Sequence, residues 1–501
     1  MVRSIHSLLI VGTAGICFAG PLAAQQVPAR HPDLVLSRTV SFSDYHRLMS
    51  IPFQVPAGTV RISVLLSYSG QEQHTALDVG LWGPEGFRGW SGGDKDSFTL
   101  SVSDATPSYL PGPLTPGKWD LVLGVPNIRA GVVSEFVAKV YFDHSVADDA
   151  SDPLLQLGLR SQAGWYRGDL HMHTAQSDGV CKSQSGQNVP CPLFRSVEAA
   201  AERGLDFIAI TDHNTESHYD DERELQPWFD KILLMPGREI TTYEGHANLL
   251  GTRRFVDFRI GTPEVPSMNS VLRQVQNLGA IISINHPSVR SGEICMGCGW
   301  LPESPVDYHL VQAVEVVNGR AADTERSGVA FWENLLNQGY RLTAIGGSDN
   351  HDADIQGPGS IGYPTTVVYA RELSTPAILE GIKAGHVFID TEGTRNRMLE
   401  YSAVTDGRSA AMGDALQVKK GSSIQLLVHV KGANGAHIVV IADGVRLQLE
   451  RETVIHGNDA QLGLDFDENQ VRKWVRAEVC NAEGHRLLIG NPVYLELLQL
   501  N

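Results

Sequence analysis

Between Asp169 and Asp178 the chain reads Asp169-Leu170-His171-Met172-His173-Thr174-Ala175-Gln176-Ser177-Asp178, with Gly179 next. On a β-strand, side chains two apart project from the same face. His171 and His173 then aim at one point, with the Asp178 carboxylate close behind, and a metal site can begin this way. Four further apolar runs end in the same residue types. Ile208-Ala209-Ile210 leads into Thr211-Asp212-His213, and Ile232 to Gly237 leads into Arg238-Glu239, with His246 shortly after. Ile282-Ser283-Ile284 leads into Asn285-His286, and Ala344-Ile345-Gly346-Gly347 into Ser348-Asp349-Asn350-His351. Each residue has an ordinary reading, since a strand-end Asp often caps a helix and a buried His is commonly only hydrogen-bonded. Together, so many ionisable groups on apolar strands would be costly without compensation. Divalent cations supply it, and mixed His and carboxylate ligation suits zinc first, with manganese or iron as alternatives, over magnesium or calcium.

The elements that must position these groups follow a pattern. Ser196 to Arg203, Asn269 to Asn277 and Val329 to Asn337 read as helices stopped by Gly204, Gly279 and Gly339. A near-continuous apolar strand follows each, as in sheets buried on both faces. Repetition across residues 164–394 predicts a single α/β barrel, in which functional groups gather at the C-terminal ends of the strands. Residues 31–145 show short alternating runs, such as Val60 to Leu66 and Trp119 to Val125, between Pro/Gly/Ser/Asp turns, predicting an N-terminal β-sandwich. β patterns return in residues 399–501, for example Ile424 to Val430, predicting a small C-terminal β-sandwich. The predicted fold is therefore multidomain α/β with flanking all-β domains. Gly357-Pro358-Gly359-Ser360-Ile361-Gly362 matches a dinucleotide loop only formally, because it contains a proline and no helix pattern follows.

The motifs around His171 and His173, Asp178, Asp212-His213-Asn214, Gly237-Arg238-Glu239, Asn285-His286-Pro287 and Ser348-Asp349-Asn350-His351 resemble, in order, those of the PHP (polymerase and histidinol phosphatase) superfamily. Glu244-Gly245-His246 and Val314 to Gly319 resemble its exported carbaryl-hydrolase-like branch, the CehA/McbA-like metallohydrolases. The resemblance implies a distorted (β/α)7 barrel holding two or three metals. His171, His173, Glu239 and Asp349 would hold one, and Asp178, His213 and His351 a second. Glu239 would bridge to a third held by His246 and His286. Many members have His where this chain has Asp178, which leaves the metal count open. Asp212 is expected to orient a ligand imidazole, and Arg238, Tyr243 and Asn318 to contact substrate, an ordinary salt bridge being equally expected of Arg238. Asn285 and Asn350 are given no role.

A chain of 501 residues implies two to four domains. The formal charge of −17 disfavours DNA, RNA and anionic lipid as partners, which demand a basic surface. Arg3, the apolar run from Ser7 to Gly20 and the small residues to Ala24 read as a secretory signal over residues 1–24. The mature chain is expected to be periplasmic or secreted and not inserted in a membrane; its oligomeric state is not legible. In an oxidising compartment a Cys181–Cys191 disulfide would pin the polar loop between them. Cys295 and Cys298 can close a tight bridge, or all four can pair crosswise or hold zinc, and Cys480 is left as a buried thiol.

The expected function is an exported hydrolase in which metals acidify a water that attacks a small-molecule ester, carbamate or amide. His246 or His286 would protonate the leaving group where not metal-bound. Ser177 and Ser348 lack a nucleophile-elbow context. A phosphoester needs cations near the metals, and the motifs offer only Arg238 and, further off, Lys182 and Arg290, which leans toward a neutral substrate. Phosphoester hydrolysis at the same cluster is the alternative. A third reading, of another class, is an exported binding protein whose barrel is merely stabilised by metal.

Overall fold

The computed structural model describes residues 30–144 and 155–498, apart from residues 103, 294, 420, 450–451 and 468–471. The secretory signal expected over residues 1–24 lies outside the described residues. Among these, no helix is long and apolar enough to cross a membrane. Strands dominate the described residues, accompanied there by five α-helices.

The N-terminal region forms two antiparallel four-stranded sheets. One has the order Leu34–Ser41, Val133–Asp143, Arg61–Tyr68, Ser97–Ser101, the other Leu48–Val55, Gly117–Asn127, Ala76–Gly83, Gly86–Gly92. Alternation explains the packing. Ile62 and Val64 turn inward while Arg61 and Ser63 do not, and they share one core with Leu81, Trp119 and Leu121 of the second sheet.

The central sheet contains β1 (Gly164–Asp169), β2 (Phe207–Ile210), β3 (Leu233–Thr242), β4 (Gly245–Leu250), β5 (Ile281–Ile284), β6 (Ala313–Asn318) and β7 (Thr343–Gly347), hydrogen-bonded in that order. Beyond the last residue of β7 the chain returns to the end of β1. There Met172 bridges Asn350 in parallel, His173 N–H donates to Asn350 O at 2.9 Å and Asp349 N–H to His171 O at 2.9 Å. The ends of the first and last strands of this seven-strand run thus meet at the motif residues.

Helices α1 (Leu193–Glu202), α2 (Tyr219–Leu225), α3 (Met268–Gln276) and α4 (Val329–Asn337) accompany these strands. α1 buries Leu193, Val197 and Ala200 at helical spacing. The glycine stops hold: Gly204, Gly279 and Gly339 have φ of 71°, 68° and 98°, the left-handed conformation that ends a helix without a Cβ penalty.

The regular alternation expected of a (β/α)7 barrel is not what the chain forms. β1–β2–β3 and β5–β6–β7 are parallel, but β3, β4 and β5 pair antiparallel. β3 returns as β4 through the two residues Tyr243 and Glu244, with no helix between. The cause is local: both runs are buried throughout, apart from Thr241, and Gly245, at φ 149°, packs so closely on Trp300 that a Cβ would lie 2.5 Å from its ring. Between β5 and β6 the described residues form no helix beyond a short 3-10 turn at Tyr308–Leu310.

β8 (Thr365–Ala370) pairs with β1, and β9 (Val387–Asp390), which follows helix α5 (Thr375–Lys383), pairs with β8. The sheet then continues through Arg486–Gly490, Trp474–Cys480 and His437–Ala442, so its ladder crosses the 394–399 region. A separate four-stranded sheet of Arg408–Ala411, Met398–Thr405, Ser423–Lys431 and Asp459–Asp467 covers it. Val367 and Phe388 share a core with Leu399, Leu426 and Val428. Cys181 pairs with Cys191 and Cys295 with Cys298, which settles the pairing left open by the sequence; Cys480 is buried and unpaired.

Candidate metal centre

Glu239, near the middle of β3, is the hub. Its carboxylate is buried and meets five imidazoles: His171 Nε2 at 3.5 Å, His173 Nε2 at 3.6 Å, His213 Nδ1 at 2.8 Å, His246 Nδ1 at 3.3 Å and His286 Nε2 at 3.5 Å. The β-ladder places these groups. Thr241 registers with His246 and Glu239 with Asn248, so β4 carries His246 along the edge of β3. His213 bridges Glu239 directly from beyond β2.

The side chains fall into three groups. In the first, Asp349 Oδ1 lies 3.3 Å from His171 Nε2 and 3.1 Å from His173 Nε2, and Glu239 Oε2 lies 3.6 Å from His173 Nε2. In the second, Asp178 Oδ1 lies 3.7 Å from His213 Nε2, 3.4 Å from His351 Nε2 and 3.9 Å from His173 Nδ1. Glu239, His246 and His286 make the third. A tetrahedral ion held by bonds of about 2.0–2.1 Å separates its ligand atoms by roughly 3.3–3.4 Å. Most of the separations in these groups fall close to that edge length.

Tautomers are also set. His171 Nδ1 faces Glu315 Oε1 at 3.0 Å, His286 Nδ1 faces Cys298 O at 3.0 Å, and His351 Nδ1 faces Asp349 O at 2.9 Å. These partners only accept, so each Nδ1 donates and each Nε2 turns its lone pair inward. His171 Nε2, Glu239 Oε2 and His246 Nε2 are buried with no hydrogen-bond partner. Lone pairs that face carboxylate oxygens need either protons or cations between them.

The ionisation follows from the same contacts. Glu239 loses to burial, but His171, His213 and His246 hold its carboxyl well below the usual range. Asp349 behaves likewise, with His171 and His173 opposing its burial. His351 bonding holds Asp178 down at about 2. Burial works against a charged His351, yet Asp178 and Asp349 lift it to about 9. Burial dominates at His173 and lowers it. The carboxylates are therefore ready as anions, and metal would compete with protons for the ring lone pairs. The donor set, the orphaned buried atoms and the spacing all fit divalent ions.

Backbone conformation is special at two of these positions. His286 has φ 27° and Asp349 φ 50°, both left-handed for residues with a Cβ.

The remaining expected residues are placed as follows. Asp212 does not touch a ligand ring. Buried, it accepts from Thr174 N at 2.7 Å, Thr174 Oγ1 at 2.6 Å and Ser177 Oγ at 2.5 Å, tying down the loop that carries Asp178. It is no helix cap either, since α2 begins only at Tyr219. Arg238 neighbours Glu239 on a strand and so points to the other face, where it pairs with Glu216 at 2.7 Å and donates to Arg254 O at 2.7 Å. Tyr243, at the β3–β4 turn, is 91% exposed. Asn318 donates to Glu315 Oε2 at 3.2 Å and to Asp349 Oδ2 at 3.1 Å.

Several participants escape sequence reasoning. Glu315 Oε1 orients His171 while its Oε2 accepts from His286 N at 3.0 Å. Its signal was a lone carboxylate in the buried run Ala313 to Val317. Asp169 accepts from the backbone N–H groups of Ser348 at 3.0 Å and Gly362 at 2.7 Å. Asn285 Nδ2 donates to Glu239 Oε1 at 2.8 Å. A cleft of about 790 Å³ opens beside His286, Asn318 and Asp349, and its wall carries Arg290, Arg320 and Arg326.

No family model and no curated protein matches the chain. Among solved structures it is similar to a two-domain protein from Bacteroides vulgatus that contains a predicted PHP-like metal-dependent phosphoesterase. The identity is 18%, over 66% of this chain and 95% of that one, with a TM-score of 0.36. It is also similar to a protein described as a putative metal-dependent phosphoesterase from Bifidobacterium adolescentis, at 16% identity over 37% of this chain and 87% of that one, with a TM-score of 0.25. At this degree of overlap the reading of the site rests on its own geometry.

Proposed function

We propose that the protein is an exported metal-dependent hydrolase of small phosphoesters. The observation that carries the reading is one cleft that joins the His/carboxylate cluster to arginines. Arg290 is already paired with Glu325 at 3.1 Å. Arg320 donates to Pro358 O, and Arg326 makes no ion pair among the described residues. Guanidinium groups in such a position suit a phosphate better than a neutral carbonyl. Arg320 directly follows the Val314–Gly319 motif and Arg326 lies six residues further on, but the sequence does not show that they face the cluster.

When bound, divalent ions at these groups supply an acidified water and positive charge for the developing oxyanion. The chain's own residues hold the ligand atoms in place beforehand. Glu315 and Cys298 O fix which nitrogen of His171 and His286 carries the proton. Asn318 Nδ2 holds Asp349 at the cleft edge. Of the two rings expected to protonate the leaving group where not metal-bound, His286 has Nδ1 committed to Cys298 O, so Nε2 is the atom through which it would give that proton. Arg320 and Arg326 hold the anionic group of the substrate. Zinc is the proposed ion, by its donor set.

The test is metal analysis of the full-length protein together with turnover of bis(4-nitrophenyl) phosphate, 4-nitrophenyl phosphate and 1-naphthyl N-methylcarbamate. Phosphoester hydrolysis that is abolished by chelation and by His171→Ala supports the proposal. Turnover of the carbamate alone would return the reading to a neutral ester or carbamate hydrolase. Metal-loaded protein inert to all three would favour a binding role.

A further inference from the structure

We propose that a second cavity, behind the central sheet, binds a small organic ammonium ion with an apolar body. This site is separate from the metal cleft. Trp165, near the start of β1, lines it, whereas His171 follows the end of that strand. At the rise of an extended chain the two lie about 20 Å apart. The cavity encloses about 610 Å³ where β1, β8 and the covering C-terminal sheet meet, a size typical of small-molecule sites.

Its lining selects the ligand. Trp165 and Tyr369 meet edge to face with centroids 5.5 Å apart. Leu427 and Leu462 add apolar surface, and Tyr369 and Leu427 are 43% and 44% exposed, so two of the molecule's exposed large apolar side chains converge on one concavity. Glu400 accepts from the Trp165 indole and lies 3.2 Å from His429 Nδ1, and Asp414 lies 3.2 Å from His386 Nε2. No Lys or Arg lines the cavity among the described residues.

Three ligand classes can be compared against this chemistry. Anions would face Glu400 and Asp414, whose neighbouring imidazoles His429 and His386 are already turned to those carboxylates, opposite to the arginine wall of the metal cleft. A saccharide would find partners in Ser402 and Gln461 but would press its other hydroxyls on Leu427 and Leu462, each unpaired one at a desolvation cost. An ammonium with an apolar body meets aromatic rings that attract a cation, carboxylates that balance its charge, and an apolar floor for its body.

The experiment is calorimetric titration of the full-length protein with benzyltrimethylammonium, choline and 3,3-dimethyl-1-butanol, the uncharged carbon isostere of choline. Benzyltrimethylammonium should saturate one site, and choline should bind it more weakly. The alcohol should bind weaker than choline by about tenfold or more. Chelation of metal should leave the binding intact, which separates this outcome from any failure of the hydrolase reading. Tyr369→Ala, at an exposed position, and the double variant Glu400→Gln/Asp414→Asn should each weaken benzyltrimethylammonium by about tenfold. Thermal unfolding checks that each variant is folded, and Tyr369→Ala alone carries the test if the double variant is not. Equal affinity for choline and the alcohol, no binding of either cation, unchanged affinity in Tyr369→Ala, or saturable binding of maltose in place of the cations would overturn the proposal.

Discussion

The Nδ1 of His286 lies 3.0 Å from the carbonyl oxygen of Cys298, so a backbone atom inside a disulfide loop sets the tautomer of a candidate metal ligand. The loop is otherwise held by Leu301 N–H to Glu244 O at 2.7 Å and Gly299 N–H to Ser291 Oγ at 2.9 Å. Opening the Cys295–Cys298 bridge frees the carbonyl to drift and the ring to turn. Cys295→Ser/Cys298→Ser should therefore weaken metal at the Glu239–His246–His286 group by about 10–100-fold, the usual scale for losing a ligand's outer partner. Metal analysis after dialysis at limiting zinc should show about one equivalent fewer than the parent. A full complement in the variant would show that the bridge has no part in holding His286.

Glu315 links three groups with one carboxylate, accepting from His171 Nδ1, His286 N and Asn318 Nδ2. Glu315→Gln keeps the shape but offers one acceptor and one donor. Whichever way the amide turns, its N–H₂ confronts a group that must itself donate. A buried N–H is then left unsatisfied, at about 1–3 kcal/mol. Zinc affinity should fall by about 10–100-fold with the fold retained, as read by competition with a chromogenic chelator. Equal affinity in Glu315→Gln would mean that His171 is oriented by other contacts.

The legible part of this molecule was whatever one strand could show by itself. His171, His173, Glu239, His286, Asp349 and His351 each end or extend an apolar run, and the fold brings them together. Helices with glycine stops were equally readable, because capping is local. The β3–β4 hairpin was not: two short runs that both carry ligand-type residues read the same whether they pair antiparallel or are joined through a helix. Glu315 was hidden for a related reason, since its partners lie 144 and 29 residues away in sequence. The role of Asp212 was misjudged because Asp-His adjacency suggests a bond to a ligand ring, whereas its acceptors serve the Thr174–Ser177 loop. Arg320 and Arg326 became meaningful only once β6 and its following loop were seen beside His286.

That loop yields a selective prediction. Asp212 receives three hydrogen bonds from Thr174 and Ser177, and Asp178 follows directly. Asp178 is 57% exposed, and its approach to His213 and His351 is shared between this anchoring and the backbone bonds Gly179 N–H to Thr174 O at 2.8 Å and Val180 N–H to His351 O at 2.7 Å. Asp212→Asn exchanges one acceptor for a donor against Thr174 or Ser177. It should loosen the Asp178 group while the Glu239–His246–His286 group keeps its metal. Ser177→Ala, which removes one bond only, should cost about 0.5–1.5 kcal/mol of stability and less metal than Asp212→Asn. Stepwise zinc titration of both variants distinguishes these outcomes, and equal loss from all groups would show that Asp212 acts globally.

The N-terminal sandwich is latched to the central region by a single buried carboxylate. Asp104 pairs with Arg61 of its own sandwich at 3.3 Å, with Arg253 beyond β4 at 3.3 Å and with Arg223 of α2, and Ala105 N–H donates to Asp220 at 3.0 Å. Burial raises the carboxyl, but the three arginines prevail and hold it well below its ordinary value. A carboxyl depressed in this way contributes stability that is complete above the ordinary carboxylate range. That contribution is lost as falling pH protonates the folded protein. Asp104→Asn removes the carboxylate shared by Arg61, Arg223 and Arg253, and losing one partner of such a buried network costs about 3–5 kcal/mol. Denaturant unfolding at pH 7 should therefore show the variant destabilised by about that amount, with the gap to the parent narrowing as the pH is taken below about 4. A gap independent of pH would assign the loss to packing and not to the Asp104 charge.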